Sequence, residues 1–270
     1  MARRIEGGTP RMIDEIGVAR DEAIATVTLN RPEKLNALTK AMWQELGRVM
    51  TELGGDASVR CIVLRGAGGK AFSPGNDIGE FETERSNVEQ ARAYGRLMHG
   101  TLGAFRDCPQ PLVALIEGIC VGGGLEIAAL CDLRICGVSS RFGIPINRLG
   151  LVMAYPEIDA LQVLVGRATA LEILLEGRVF DAEEARAKGL VTRVVADEAV
   201  EEEAYATARR IAAGAPLVNR WHKRFLRRLE SPEPLSEAEL DEGYACFGTE
   251  DFQIGYRAFL EKRRPDFKGR

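Results

Sequence analysis

The sequence predicts an α/β fold, because short apolar strands alternate along the chain with helix-forming stretches. Two of the strands, at 60–66 and 112–118, are apolar on consecutive residues, which indicates that both of their faces are covered. The chain has 270 residues, of which 46% are hydrophobic, enough for a substantial core. Long disordered stretches are therefore not expected.

The first elements are a strand and an amphipathic helix. Residues 22–29 place apolar side chains among β-branched neighbours and run into a loop that contains proline, which is typical of a strand end. Thr39 is a suitable helix cap, and the residues after it, to about Leu53, are apolar at three- and four-residue spacing. We predict that Gly54 and Gly55 end this helix.

The middle of the chain continues the alternation. A helix is predicted from about Val88 to Arg106, ahead of the apolar strand at 112–118. The turn ICVGGG, a helix at 125–131 and a strand at 132–137 come next. A helix in ATALEILLEG then precedes a strand in LVTRVV. This order favours one layered fold over separate helical and β parts.

The C-terminal part of the chain has a different pattern. Beyond about residue 215 the sequence is basic, begins with WHKRFLRRL and offers no convincing strand. Ser236 and Glu239 have the spacing of a capping box, which indicates a helix start. We therefore predict two regions, a core at 1–215 and a helical region at 216–270.

Charge and composition exclude several classes of protein. With 36 basic and 40 acidic side chains the net charge is −4, which argues against a nucleic-acid partner. No stretch approaches the ~18 apolar residues of a membrane span, and the basic N-terminus lacks an apolar h-region, so we expect a cytoplasmic protein. The six cysteines form no CxxC pair and there are two histidines, so we predict reduced packing thiols and no metal site.

A run of three glycines, Gly122 to Gly124, stands between an apolar strand and a helix. Backbone N–H groups at a helix start lack helical partners, so this turn could hold an anion or a developing oxyanion. Close packing at a glycine turn is an equally weighted alternative. The run is no nucleotide fingerprint, because GxGxxG is absent and GAGGKAF at 66–72 lacks the ending of a P-loop.

The segment KAFSPGNDIGEF at 70–81 combines residues that favour a tight, exposed turn. Asn76 could offer a second backbone N–H there. Open α/β sheets bind ligands at the carboxyl ends of their parallel strands. Two donors meeting at that edge would polarise the carbonyl of a thioester or a carboxyl group.

Five segments carry a common resemblance and follow one another along the chain. They are LNRPEKLNAL at 29–38, VRCIVLRGAGGKAFSPGNDIGEF at 59–81, CPQPLVALIEGICVGGGLEIAALCDLRI at 108–135, ARAKGLVTRVV at 185–195 and GYRAFLEKRRPDFKGR at 255–270. Together they resemble the enoyl-CoA hydratase/isomerase (crotonase) superfamily over nearly the whole chain from about residue 15. The resemblance implies a crotonase-like spiral of ββα units and a C-terminal helical region used for assembly as a homotrimer or homohexamer.

The resemblance also implies an enzyme that acts on an acyl-CoA thioester through an enolate. Asn76 and Gly123 match the positions whose backbone N–H groups bind the thioester oxygen. Coenzyme A enters as part of the substrate, and no separate cofactor is implied. The implied activity is that of an enoyl-CoA hydratase or isomerase.

Hydratases of the family use two glutamates, and here the sequence departs from the pattern. Glu126 matches the first, which activates or orients water; a carboxylate that merely stabilises a helix start is the alternative. The second should follow the proline of FGxPE, but Ile146 stands there and cannot transfer a proton. Hydration, isomerisation, a diverged decarboxylase or hydrolase activity, and a catalytically weak CoA-binding relative therefore all stay open.

Three other side chains are candidates for the missing acid. His99, counted back from Gly123, matches a position where the family places a side chain of the acyl pocket. A hydrogen-bonded or surface histidine is the more ordinary interpretation. Tyr155 and Glu157 follow Gly150, where the family has small residues, and either could reach the pocket.

Six residues match positions that contact coenzyme A in the family. They are Lys34, Leu35, Ala71, Ile78, Phe259 and Lys262. The last two belong to the terminal segment, which supplies an aromatic contact and a cation for phosphates, often from a neighbouring subunit. A simply solvated basic helix is the alternative interpretation of that segment.

Overall fold

The computed structural model describes residues 15–270, so the N-terminal segment considered above lies outside the described part of the chain. The strands are β1 (Ile16–Asp21), β2 (Ile24–Leu29), β3 (Cys61–Gly66), β4 (Ala71–Ser73), β5 (Leu112–Ile116), β6 (Ile119–Val121), β7 (Leu133–Gly137), β8 (Arg141–Gly143), β9 (Phe180–Asp181) and β10 (Arg193–Val195). The helices are α1 (Lys40–Gly55), α2 (Phe81–Glu84), α3 (Val88–Asp107), α4 (Gly123–Ala129), α5 (Tyr155–Glu176), α6 (Ala182–Ala187), α7 (Val200–Ala212), α8 (Pro216–Arg228), α9 (Glu237–Asp241) and α10 (Glu250–Leu260). Among them, no helix is long and apolar enough to cross a membrane.

Two sheets share the strands in a repeating way. The larger sheet has the order β1-β2-β3-β5-β7-β10, parallel except for the β1–β2 hairpin, and the smaller has the order β4-β6-β8-β9. Three consecutive pairs, β3 with β4, β5 with β6 and β7 with β8, each give one strand to either sheet and are followed by helix. This is the ββα repeat expected from the resemblance, and the predicted α/β class is confirmed.

The larger sheet is covered on both faces, as the continuous apolar strands predict. In β3, Ile62 and Leu64 belong to the main core, to which α1 and α3 also contribute. Cys61 and Val63, which point to the opposite face, pack in a second cluster with residues of α7. The parallel strands are thereby shielded from water on both sides, the usual condition for such sheets.

Three details differ from the sequence prediction. The turn ICVGGG contains the short strand β6, held between Gly118 and Gly122, which both have positive φ. As a result α4 begins at Gly123 rather than at 125. Helix α5 begins at Tyr155, well before the predicted stretch. The sequence pattern did not reveal its first part, because Gly166, with φ of 75°, interrupts the helical periodicity.

The C-terminal helices rest on the core. In α8, Arg220 donates to the carbonyl of Val59, and Lys223 pairs with Asp132. The capping box predicted at the start of α9 is confirmed, since Ser236 and Glu239 exchange backbone-to-side-chain hydrogen bonds. Beyond β10 the described chain contains no further strand.

The cysteines are unpaired thiols. Cys61, Cys108, Cys120, Cys131 and Cys136 are buried, while Cys246 is partly exposed. Burial raises the pKa of each of the five buried thiols, to about 12 for Cys61, Cys131 and Cys136. They therefore behave as small apolar packing residues. Within residues 15–270 no group of three or more potential metal ligands is found.

Candidate active site

Seven of the predicted site residues line a cavity of about 520 Å³. It lies between α3, the start of α4 and the segment that joins β8 to α5. The residues from the sequence analysis that line it are Asn76, Ile78, His99, Gly123, Glu126, Ile146 and Glu157. The cavity thus combines backbone donors, two carboxyl groups and apolar walls.

Two glycine-containing segments contact each other at one end of this cavity. A Cβ added to Gly75 would lie 2.5 Å from the backbone nitrogen of Gly123, and one added to Gly123 would lie 3.6 Å from the nitrogen of Asn76. Gly75 has φ of +94°, which L-residues with side chains rarely adopt. Glycine at 75 therefore lets the two backbones approach one another.

The backbone N–H of Asn76 is free because of the way its segment pairs. The carbonyl of Gly75 accepts from Leu38 at 2.8 Å, and the N–H of Asp77 donates to Leu38 at 2.9 Å. In such parallel pairing the residue between these two groups directs its own N–H to the other side. No acceptor for the Asn76 amide exists in the part of the chain that the structure describes.

The backbone N–H of Gly123 is free for a different reason. Gly123 is the first residue of α4, and amides of a first helical turn have no intrahelical acceptor. A Cβ at Gly124 would lie 2.2 Å from the carbonyl oxygen of Ser73, so a glycine is needed there to seat α4 against β4. Between residues 15 and 270 the Gly123 amide likewise finds no acceptor.

The side chain of Asn76 is held by hydrogen bonds that leave its backbone N–H free. Its Oδ1 accepts a 2.6 Å hydrogen bond from the indole Nε1 of Trp43 and a longer one, at 3.5 Å, from the hydroxyl of Tyr94. Trp43 and Tyr94 are themselves buried in the core. The rigid core therefore sets the orientation of the turn that presents the Asn76 amide.

Glu126 is a buried carboxyl group without a hydrogen-bond partner at Oε2 among the described atoms. It is 6% exposed, and its backbone belongs to the first turns of α4. Burial, reinforced by the charge of Glu157 and opposed by Arg85, raises the pKa of Glu126 to about 8. Because this pKa lies above 7, the carboxyl group keeps its proton at neutral pH and can donate it.

Glu157 supplies a second carboxyl group to the cavity. It is 7% exposed, and its Oε2 accepts from the backbone N–H of Ala154 at 2.7 Å, which fixes it at the start of α5. Its Oε1 lies 3.0 Å from Nε2 of His99 on α3. Two of the three residues considered as replacements for the missing glutamate thus form a hydrogen-bonded pair, oriented from two helices.

Ile146 occupies the position where the family has its second glutamate. It lies in the 3-10 turn Pro145–Leu149, lines the cavity and packs partly against the main core. This part of the wall is therefore apolar. The second carboxyl group of the cavity comes instead from Glu157, eleven positions further along the chain.

Several predicted residues lie elsewhere. Tyr155, the first residue of α5, is 90% exposed and is not among the residues that line the cavity, so its place in the pocket stays a prediction. Five of the predicted coenzyme A contacts are also outside the cavity lining, and their role stays a prediction. These are Lys34, Leu35, Ala71, Phe259 and Lys262.

Arg85 is a cavity residue that the sequence did not reveal. It follows α2 in a polar stretch, ETERSN, where nothing distinguishes it from a solvated residue. The structure places it in the cavity wall, with Nη1 buried and without a partner among the described residues. Its surroundings depend on how α2 and α3 pack, which no local pattern encodes.

Comparison with known proteins agrees with this architecture. The family model for enoyl-CoA hydratase/isomerase matches residues 19–270. The chain is 32% identical over 261 residues to the short-chain-enoyl-CoA hydratase of Clostridium acetobutylicum, covering 96% of this chain and 99% of that protein. It is 32% identical over 256 residues to the crotonyl-CoA hydratase of Syntrophomonas wolfei, covering 94% and 98%. A crystal structure of an enoyl-CoA hydratase/carnithine racemase from Magnetospirillum magneticum superposes with a TM-score of 0.94 at 54% identity, over 96% of this chain and 97% of that chain.

Proposed function

Because the chain belongs to the enoyl-CoA hydratase/isomerase family, we propose that it adds water to a conjugated enoyl-CoA thioester through an enolate. The observation that carries the proposal is the pair of free backbone amides, Asn76 and Gly123, at the end of a cavity that also holds two carboxyl groups. Named relatives with hydratase activity support the same substrate class. In the proposed reaction, side chains and backbone amides of the protein act directly on the thioester, and no separate cofactor takes part.

The two amides would bind the thioester oxygen. Attack at the β-carbon moves electron density onto this oxygen, so donors already fixed toward it stabilise the enolate more than the ground-state carbonyl. Gly75 and Gly124 allow the close packing that holds both amides in place. One such donor is typically worth about 2.7–4 kcal/mol of barrier.

The different surroundings of the two carboxyl groups suggest their roles. Glu126, with its pKa raised to about 8, would give its proton to the α-carbon, which reverses the water-activating role that the resemblance implies for it. The carboxylate of Glu157, held by His99, would take a proton from water as its oxygen bonds to the β-carbon. The atoms of one water are then divided between the two carbons, and the proton on Glu157 returns to Glu126 through solvent.

Isomerisation is a second candidate, favoured by Ile146. A wall without the usual second glutamate suits a reaction in which one carboxyl group moves a proton from the α- to the γ-carbon. That reaction shifts a double bond without adding atoms. The mass of the product therefore separates the two candidates, because hydration makes it heavier by one water.

We expect the wild-type protein to hydrate crotonyl-CoA, and the Glu157→Gln variant to lose about 10²–10⁴-fold in kcat, the usual worth of a positioned acid or base. Glutamine can still accept from Ala154, so α5 should keep its start. The measurement is the loss of conjugated-thioester absorbance, with the product identified by mass spectrometry.

Glu176→Gln is the matched control, since Glu176 lies on the same helix but is exposed and pairs with Arg178 on the surface. It should keep the wild-type rate. Unchanged kcat in Glu157→Gln would remove Glu157 from the mechanism. A product of unchanged mass from a 3-enoyl-CoA, with no hydration of crotonyl-CoA, would replace the proposed reaction by isomerisation.

We also propose assembly as a homotrimer or homohexamer through the C-terminal helices. Large side chains on these helices are exposed, and we call them the C-terminal apolar surface: Leu226, Leu229, Tyr244, Phe247, Phe259 and Leu260. Large apolar side chains left exposed to water are commonly covered in an interface between chains.

Light scattering of the wild-type protein should give three or six times the chain mass of 29.5 kDa. Introducing Leu226→Glu together with Leu260→Glu should shift the protein toward monomer, because charges at a buried contact are costly. Val18→Glu on exposed β1 is the control and should leave the mass unchanged. A wild-type monomer at micromolar concentration would contradict the assembly.

A further inference from the structure

Arg85 is held rigidly at the cavity wall. Its guanidinium carbon lies 4.8 Å from the ring centre of Phe81 and 4.8 Å from that of Tyr94, so the planar group sits between two aromatic faces. Its backbone N–H donates to the carbonyl of Phe81. Cation–π contacts of this kind orient a guanidinium without using its hydrogen-bond donors.

Those donors are not satisfied by the described protein. Nη1 of Arg85 is buried with no hydrogen-bond partner, and no carboxylate in residues 15–270 lies within ion-pair distance of this arginine. Its charge acts on Glu126 from a distance, where it lowers the pKa of that carboxyl group against the stronger effect of burial. A buried charged donor without a partner costs free energy, which a bound anion would offset.

The rest of the cavity suits an acyl chain with an anionic end. Apart from the catalytic end, the wall around Arg85 is mainly apolar and formed by Ile78, Phe81, Met98, Ile146, Leu149, Leu151 and Val152. Two further arginines, Arg92 and Arg96, are exposed, line the cavity and have no ion-pair partner in the described chain. An uncharged alkyl group would fill the apolar part but leave the guanidinium of Arg85 without an acceptor.

We propose that the acyl group of the substrate ends in a carboxylate, which Arg85 binds while the apolar wall holds the intervening chain. This inference rests on the proposed acyl-CoA function and names the substrate class. A carboxylate is planar and accepts two parallel hydrogen bonds from a guanidinium. A cationic acyl group, such as one bearing a quaternary ammonium, would be repelled by the same residue.

Calorimetry with saturated thioesters tests the proposal apart from catalysis. The probes are succinyl-, glutaryl- and adipyl-CoA, each compared with its terminal amide, which has the same shape and no charge. We expect at least one acid to bind about tenfold to hundredfold more tightly than its amide, the usual range for a charge-assisted hydrogen bond. In Arg85→Met this preference should fall below about threefold, and Arg85→Lys should retain part of it.

Arg167→Met is the control, because Arg167 is an exposed arginine of α5 outside the cavity lining. It should keep the full preference. The inference is overturned if no acid is preferred by the wild type, or if the preference survives in Arg85→Met. It is also overturned if Arg85→Met weakens acids and amides equally, as expected for a residue that acts only as counter-charge to Glu126. A preference for the acid in a protein that fails to hydrate any enoyl-CoA would instead contradict the proposed function alone.

Discussion

Replacing Glu126 by glutamine should lower kcat for enoyl-CoA hydration by about 10²–10⁴, with a much smaller change in KM. Glutamine has nearly the shape of the protonated acid but cannot release a proton to the α-carbon, so the loss falls on the chemical step. Stopped-flow or steady-state absorbance with crotonyl-CoA measures it. A variant that retains wild-type kcat would end the assignment of Glu126 as the acid.

The same substitution should make the protein more stable at alkaline pH. The pKa of Glu126 is about 8 in the folded chain against an ordinary value of 4.5. Below pH 4.5 the carboxyl group is protonated in both states, so its burial adds no pH-dependent cost. Between 4.5 and 8 the unfolded chain releases this proton and the folded chain keeps it, so wild-type stability falls by about 1.4 kcal/mol for each pH unit.

Urea denaturation of both proteins checks this result. The free energy of unfolding of Glu126→Gln relative to wild type should rise through that interval and level off above about pH 8. The total rise from its value below pH 4.5 should be several kcal/mol. The variant thus combines lost activity with gained stability, which general misfolding cannot produce. Parallel pH curves for the two proteins would show that Glu126 is not held protonated by the fold.

Replacing Gly75 by alanine should lower kcat by at least about 10²–10³, the worth of one oxyanion donor. The added Cβ would lie 2.5 Å from the Gly123 nitrogen, and φ of +94° is unfavourable for alanine. The segments must move apart, which misplaces the amides of Asn76 and Gly123 together. Kinetics with crotonyl-CoA should show the loss, and circular dichroism should show that the sheets persist.

Gly103→Ala is the matched control for that experiment. Gly103 lies in α3, a Cβ there meets no atom within 4 Å, and its φ is not positive. Alanine should leave kcat unchanged and raise stability by up to about 1 kcal/mol, because alanine is the better helix former. Equal activity in the Gly75 and Gly103 variants would mean that the approach of the two segments has no part in catalysis.

The sequence predicted most of the fold because its periodicities are local. The spacing of apolar residues after Thr39 and the continuous apolar strand at 60–66 correspond to α1 and β3. The fold details that it did not predict depend on positive φ angles, which glycine adopts more readily than other residues. The positive φ of Gly118 and Gly122 creates β6, and that of Gly166 interrupts the pattern of α5.

The site was predictable where chemistry resides in short motifs. Asn76, Gly123 and Glu126 lie at one cavity because each follows a strand of the smaller sheet, and those strands are neighbours. The pairing of Glu157 with His99 joins two helices, and its geometry could not be read from a chain separation of 58 residues. Long-range contacts of this kind arise from packing and leave no periodic signal.

The burial of five thiols has a practical consequence for handling the protein. Reagents that modify sulfur, including dissolved oxygen, reach only Cys246 among the six while the chain stays folded. Each modification at the other five requires an opening of the core that surrounds it. The rate at which these five thiols are modified therefore measures how often the folded chain opens locally.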